Sequence, residues 1–124
     1  MSAQSKTARR SRRKRHIRKK IVGTGQRPRI TVFRSLKHIY VQAVDDSTGR
    51  TLAAASSLND ELVTSLADPE NGGKVGLSVA VGKALASRLK EQNVEGAVFD
   101  RNGYLYHGRV QSIADGIREG GLSL

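Results

Sequence analysis

The placement of charge constrains this chain more than any other feature of it. The first 44 residues hold 14 Lys and Arg and no Asp or Glu, whereas residues 45–124 hold 8 basic and 11 acidic side chains. The formal charge is therefore +14 in front and −3 behind, which together make the net +11. Ten of the cations fall in the first twenty residues, where Met1 and Ile17 are the only large apolar side chains. Such a segment cannot bury enough apolar surface to offset the entropy of ordering itself, so it is expected to fold only against a partner. Good helix formers dominate it, and Ile17 with Ile21 four residues on would give the bound form a narrow apolar seam. A concentrated cationic arm gains most by displacing counterions from a polyanion, and RNA is the leading candidate. The plainer alternative is a solubilising tail or a nuclear-localisation patch. The basic excess continues past the arm, through Arg27, Arg29, Arg34 and Lys37, and this favours nucleic-acid contact.

With residues 1–24 assigned to the arm, residues 25–124 remain for one compact α/β domain with a modest core. The absence of cysteine excludes disulfides and thiolate chemistry and fits a reducing compartment. The N-terminus lacks the apolar core of a signal peptide, and uncharged stretches such as Thr51 to Asn59 are far too short to span a bilayer. A cytosolic, soluble protein is expected. The arm also lacks the broad apolar face and bulky anchors with which helices lie on membranes. Aromatic content is only 4%, with no Trp, which argues against stacking of many single-stranded bases and for folded RNA contacted through phosphates and shape.

Gly23-Thr24-Gly25-Gln26-Arg27-Pro28 reads as a hinge between arm and domain. Arg29 to Arg34 and His38 to Val44 are β-branched and aromatic runs joined by Ser35-Leu36-Lys37, a hairpin, and Asp45 to Gly49 is a turn from which Thr51 to Ser57 returns as a third strand. A short helix can start at Asn59-Asp60-Glu61, and Asp68 to Gly73 is loop. From Lys74 to Asn93 the spacing of Val75, Val79, Gly82, Ala86 and Leu89 predicts a helix, with Gly76 and Gly82 allowing close packing on a sheet. Gly96 to Asp100 reads as a short buried strand. Val110, Ile113, Ala114 and Ile117 predict an amphipathic helix that Gly120-Gly121 ends. Three antiparallel strands followed by helix–strand–helix give a mixed sheet with helices packed on it.

Two groups of residues carry candidate chemistry. In the strand from His38, the residues Ile39, Val41 and Ala43 alternate with His38, Tyr40 and Gln42, so one face can pack a core while the other meets RNA backbone and 2′-hydroxyls. Arg34, Ser35 and Lys37 sit at the hairpin tip beside it; a merely solvated sheet face is the alternative. The string from Phe99 to Val110 places Arg101, Tyr104, Tyr106, His107 and Arg109 with Gly103 and Gly108 in one strand-to-helix loop. Glycine turns and a helix start suit an anion, but Asp100 and Arg101 pairing with loop groups, and packed tyrosines, explain the string equally well on physics alone.

The strings Val32-Phe33-Arg34-Ser35, His38-Ile39-Tyr40-Val41-Gln42 and Phe99-Asp100-Arg101-Asn102-Gly103-Tyr104, with Tyr106-His107-Gly108-Arg109-Val110, closely resemble the bacterial family of large-subunit ribosomal protein number eighteen. The resemblance runs through the whole chain, including the arm, Pro28, and Ala114-Asp115 with Arg118 to Leu122. It implies a ribonuclease-H-like fold and a non-enzymatic protein without cofactor or metal. It further implies a protein that joins 5S ribosomal RNA to the large ribosomal RNA in the central protuberance, beside another 5S-binding ribosomal protein. The residues it offers to RNA are Arg9, Arg10, Arg12, Arg13, Lys14, Arg15, His16, Arg18, Lys19 and Lys20 in the arm, and Arg27 and Arg29, which continue the basic excess, are expected to join them. The hairpin adds Arg34, Ser35, Lys37, His38, Tyr40 and Gln42, and the loop adds Arg101, Tyr104, Tyr106, His107 and Arg109. The chain departs from the family pattern at Leu122-Ser123-Leu124, where an aromatic is common, and at Gly116 and Ile117, where small helix-favouring residues are usual; local weakening of the last helix is the expected consequence.

Other functions find little in the sequence. Asp45, Asp46, Asp100 and Asp115 are the carboxylates available for a two-metal nuclease site, and a turn and a helix surface account for them better. His16, His38 and His107 are too scattered for zinc, no Gly-x-Ser-x-Gly elbow supports a nucleophile, and the helices carry small and apolar residues rather than base-reading ones, so no DNA partner is expected.

Overall fold

The computed structural model describes residues 22–35, 37–58, 60–67, 73–102 and 108–124. The expected arm from Arg9 to Lys20 and the loop residues Tyr104, Tyr106 and His107 lie outside these. The described elements are β1 (Arg29–Arg34), β2 (Ile39–Asp45), β3 (Arg50–Ser56), α1 (Glu61–Leu66), α2 (Gly73–Lys90), β4 (Val98–Asp100) and α3 (Arg109–Glu119). They form a four-stranded sheet in the order β3-β2-β1-β4, antiparallel except for the parallel pair β1–β4. The α/β architecture read from the sequence is the one observed.

Alternation in β2 works as expected: Ile39, Val41 and Ala43 are buried, whereas Tyr40 is half-buried and Gln42 exposed. With Ile30 and Val32 of β1 they meet Val81, Leu85 and Leu89 of α2 and Val110, Ile113 and Ile117 of α3 in one core. His38 falls just before β2, and Asp45 closes it because the turn that follows is held by Gly49 N–H on the Asp45 carbonyl (2.8 Å) and Ser47 N–H on the Asp45 carboxylate (3.0 Å). The short helix starting at Asp60 exists, with the Asp60 side chain accepting from Val63 N–H.

Three differences from expectation concern how the elements pack. The fourth strand is shorter than Gly96 to Asp100, because the C-terminal tail occupies the ladder there: Gly96 bridges Ser123, and Ala97 N–H donates to the Ser123 carbonyl (2.8 Å). Gly82 serves helix packing rather than sheet packing, since a Cβ on it would strike the Ile113 carbonyl of α3. Gly116, expected to weaken α3, faces it across the same crossing, where a Cβ would strike the Val79 carbonyl, and Ile117 beside it is fully buried. Paired glycines thus let α2 and α3 approach backbone to backbone.

The Gly23–Pro28 segment is also tied down. Gly23 is buried, its N–H donates to Asp46 Oδ2 (2.6 Å) and its carbonyl accepts from Asp46 N–H (3.1 Å). A Cβ there would collide with the backbone of Arg29, so the glycine is required by close approach. Among the described residues, packed chain therefore begins at Gly23.

Candidate nucleic-acid interface

Because Ile30, Val32, Ile39, Val41 and Ala43 point at the helices, alternation sends the intervening side chains to the opposite sheet face. Register aligns Phe33 of β1 with Tyr40 of β2 and Ser56 of β3 in one row, and Thr31, Gln42 and Ala54 in the next. Phe33 is 37% exposed, unusual for so large an apolar side chain, and it adjoins the half-buried Tyr40 ring. Tyr40 and Gln42 were expected on this face from the sequence, and Phe33 was not. The same two-residue alternation from Ile30 and Val32 was signal enough to place it there.

The hairpin tip projects from the end of this face. Ser35 N–H donates to the His38 carbonyl (2.9 Å) and His38 N–H to Ser35 Oγ (3.2 Å), which leaves Arg34, Ser35 and Lys37 exposed. His38 is half-buried, with Nδ1 3.4 Å from Ser57 Oγ. The parallel pairing sets Thr31 beside Asp100, so β4 runs toward the hairpin end and delivers Arg101 there. Arg109, at the start of α3, reaches within 3.5 Å of the Ser35 carbonyl. Gly108 before it takes φ 57°, which favours glycine, and no side chain caps the helix. Cations far apart in sequence, Arg34, Lys37, Arg101 and Arg109, thus gather at one end of the sheet.

Arg27 and Arg29 are placed differently. Arg27 is exposed, and its guanidinium lies where a Cβ on Gly96 would meet it. Arg29 is held inside the fold: its Nε and Nη2 donate to Asp46 (2.9 and 3.0 Å), and its Nη1 donates to Asp100 Oδ2 and Thr31 Oγ1 (both 2.8 Å). Hydrogen bonding to Asp46 raises its already high pKa, against the cost of burial and with help from Asp100.

The carboxylates are largely consumed within the protein. Asp100 is fully buried, neither in a turn nor on a helix surface as expected, and besides Arg29 it accepts from Asn102 N–H (2.8 Å). Asp45 is held by the Ser47 hydroxyl, which lowers its pKa. Asp115 is exposed on α3, 3.6 Å from Arg118. Among the described residues, no group of three or more His, Asp or Glu is arranged to hold a metal, and no helix is long and apolar enough to cross a membrane.

Comparison with known proteins decides which basic, sheet-presenting protein this is. The sequence profile described as ribosomal L18 of archaea, bacteria, mitochondria and chloroplast matches residues 4–124. The chain belongs to the ribosomal L18 family. Among its relatives, the large ribosomal subunit protein uL18 of Chloroherpeton thalassium is 53% identical over 122 residues, covering 98% of each chain. The uL18 of Brachyspira hyodysenteriae is 51% identical over 115 residues, covering 93% of this chain and 92% of its own, and that of Sorangium cellulosum is 54% identical over 113 residues, covering 91% and 92%. Membership in the L18 family makes the chain a structural constituent of the large ribosomal subunit rather than an enzyme, with the cytoplasmic ribosome as its place and ribosomal RNA as its partner.

Proposed function

We propose that this large-subunit protein binds 5S ribosomal RNA and helps attach it to the large ribosomal RNA in the central protuberance, beside a neighbouring 5S-binding ribosomal protein. The observation that carries the RNA contact is the convergence of Arg34, Lys37, Arg101 and Arg109 beside the outer sheet face, where Asp100, next to Arg101 in sequence, is withdrawn into an ion pair. The exposed Arg34 and Lys37 and the half-buried Arg101 and Arg109 meet phosphates, and Phe33, Tyr40 and Gln42 offer ring faces and hydrogen bonds to sugars and bases. The arm from Arg9 to Lys20 supplies the sequence-independent attraction, with Tyr104, Tyr106 and His107 as further RNA-facing residues in the loop.

The test is a filter-binding titration of the full chain with 5S ribosomal RNA and with an unrelated structured RNA of the same length. Wild type is expected to prefer 5S RNA. Tyr40→Ala should cost about 1 to 3 kcal/mol of that binding if the ring stacks, with the fold retained. Val41→Ala, on the buried face, should instead lose about 1 to 3 kcal/mol of folding stability. Equal affinity for the two RNAs would overturn the 5S assignment, and unfolding by Tyr40→Ala with a neutral Val41→Ala would overturn the placement of the interface on this face.

A further inference from the structure

Arg29 stands between the root of the basic arm and the root of the 101–109 segment, the two stretches proposed above to meet RNA. On one side it grips Asp46 through Nε and Nη2, and Asp46 in turn accepts the Gly23 N–H (2.6 Å) where the basic arm joins the fold. On the other it grips Asp100 through Nη1, and Asp100 accepts the Asn102 N–H (2.8 Å) where the chain leaves β4 for the 101–109 segment. Asn102 is fully buried and takes φ 56°, a left-handed conformation uncommon outside glycine, so the exit from β4 needs a defined hold. A guanidinium is a rigid planar fork that can serve two carboxylates at once, whereas an ammonium on a flexible stem cannot reproduce both sets of directions.

We propose that Arg29 is a positioning residue that couples the root of the basic arm to the root of the 101–109 segment, holding Gly23 through Asp46 and Asn102 through Asp100. It follows that Arg29 acts on RNA through these two segments rather than by projecting at a phosphate; its side chain is 14% exposed. The RNA part of this inference rests on the function proposed above, while the latch itself is testable in the free protein.

The experiment uses the full chain and has two readouts. In the free protein, backbone amide exchange followed by NMR should show the Gly23 and Asn102 amides both protected; Asp46→Asn should speed exchange at Asn102 as well as at Gly23 in the Arg29 protein, but act at Gly23 alone once Arg29→Lys is present. With 5S RNA, removal of residues 1–21 and Arg101→Gln are combined in a double-mutant cycle. Their effects on Kd should deviate from independence by about fivefold with Arg29 and multiply independently with Arg29→Lys. A purely structural arginine would shift all amides together and leave the cycle unchanged between the two backgrounds, which overturns the coupling. Asn102 exchange indifferent to Asp46→Asn overturns the latch whatever the RNA does. Failure of wild type to prefer 5S RNA, with the exchange pattern intact, removes the 5S assignment and leaves the latch standing.

Discussion

Gly82 and Gly116 meet where α2 crosses α3, and two opposing effects decide what a methyl group would do there. Replacing a helical glycine by alanine normally gains about 0.8 to 1 kcal/mol of helix propensity. At Gly116 the added Cβ would overlap the Val79 carbonyl, a backbone atom that no rotamer change can move aside. Overpacking of this kind costs about 1 to 3 kcal/mol or more, so collision outweighs propensity and Gly116→Ala should destabilise the domain. Thermal melts check it: a midpoint at or above wild type would mean the helices can part at no cost in stability. This glycine looked like a local weakness in the sequence because propensity is local, while its use is set by a carbonyl 37 positions earlier in the chain. The Arg29 grip was hidden for the same reason. Composition shows a cation in a basic segment, and only the fold shows the two carboxylates around it.

Strands and helices were legible where one face alone is buried. Period-two alternation fixed β2 and its outer residues, and the i, i+3, i+4, i+7 spacing fixed α3. Helix α2 shows a fainter pattern because it lies against β2 and β3 on one side and α3 on another, so buried positions surround much of it. The start of β4 was misjudged because the neighbour of Gly96 is the tail at Ser123, a pairing that leaves no local mark. Edge strand β3 shows how α1 and α2 contribute beyond the core. Arg88 Nη1 donates to the Ala54 carbonyl (2.6 Å), Gln92 donates to the Leu52 carbonyl (2.7 Å), and Ser56 N–H donates to Asp60 (3.3 Å). These bonds occupy groups that an edge otherwise offers to another strand. Arg88 also forks onto Asp60 (2.7 and 2.8 Å), and that hydrogen bond is the main reason the Asp60 pKa falls below its usual 3.8. A carboxyl depressed in the folded state stabilises fully above its unfolded pKa and loses that stabilisation as pH falls through the lower folded one. Arg88→Gln should therefore cost about 1 to 2 kcal/mol at pH 7, with the deficit shrinking once pH drops below about 4. Urea titrations at pH 7, 5 and 3 measure it; a deficit constant across that range would assign the destabilisation to packing of the arginine stem instead.

Charge is divided in this protein by task. Within the domain, Asp46 and Asp100 share Arg29, and Asp60 pairs with Arg88. The excess positive charge that remains is concentrated before Gly23, in ten Lys and Arg. Shape and hydrogen bonding on the sheet face can discriminate one RNA from another, whereas a run of cations attracts any polyanion and answers steeply to salt. Removing residues 1–21, and no further because Gly23 is bonded to Asp46, should leave the melting temperature within a few degrees of wild type. The same truncation should weaken 5S RNA binding and lower the slope of log affinity against log salt by about 0.7 to 0.9 for each phosphate that the arm no longer neutralises. The ratio of affinities for 5S over unrelated RNA should change much less than either affinity, because the sheet face and hairpin remain. Titrations at several salt concentrations with both RNAs separate the contributions. An unchanged slope would make the arm a bystander, and collapse of the ratio with the slope would move recognition from the domain into the arm.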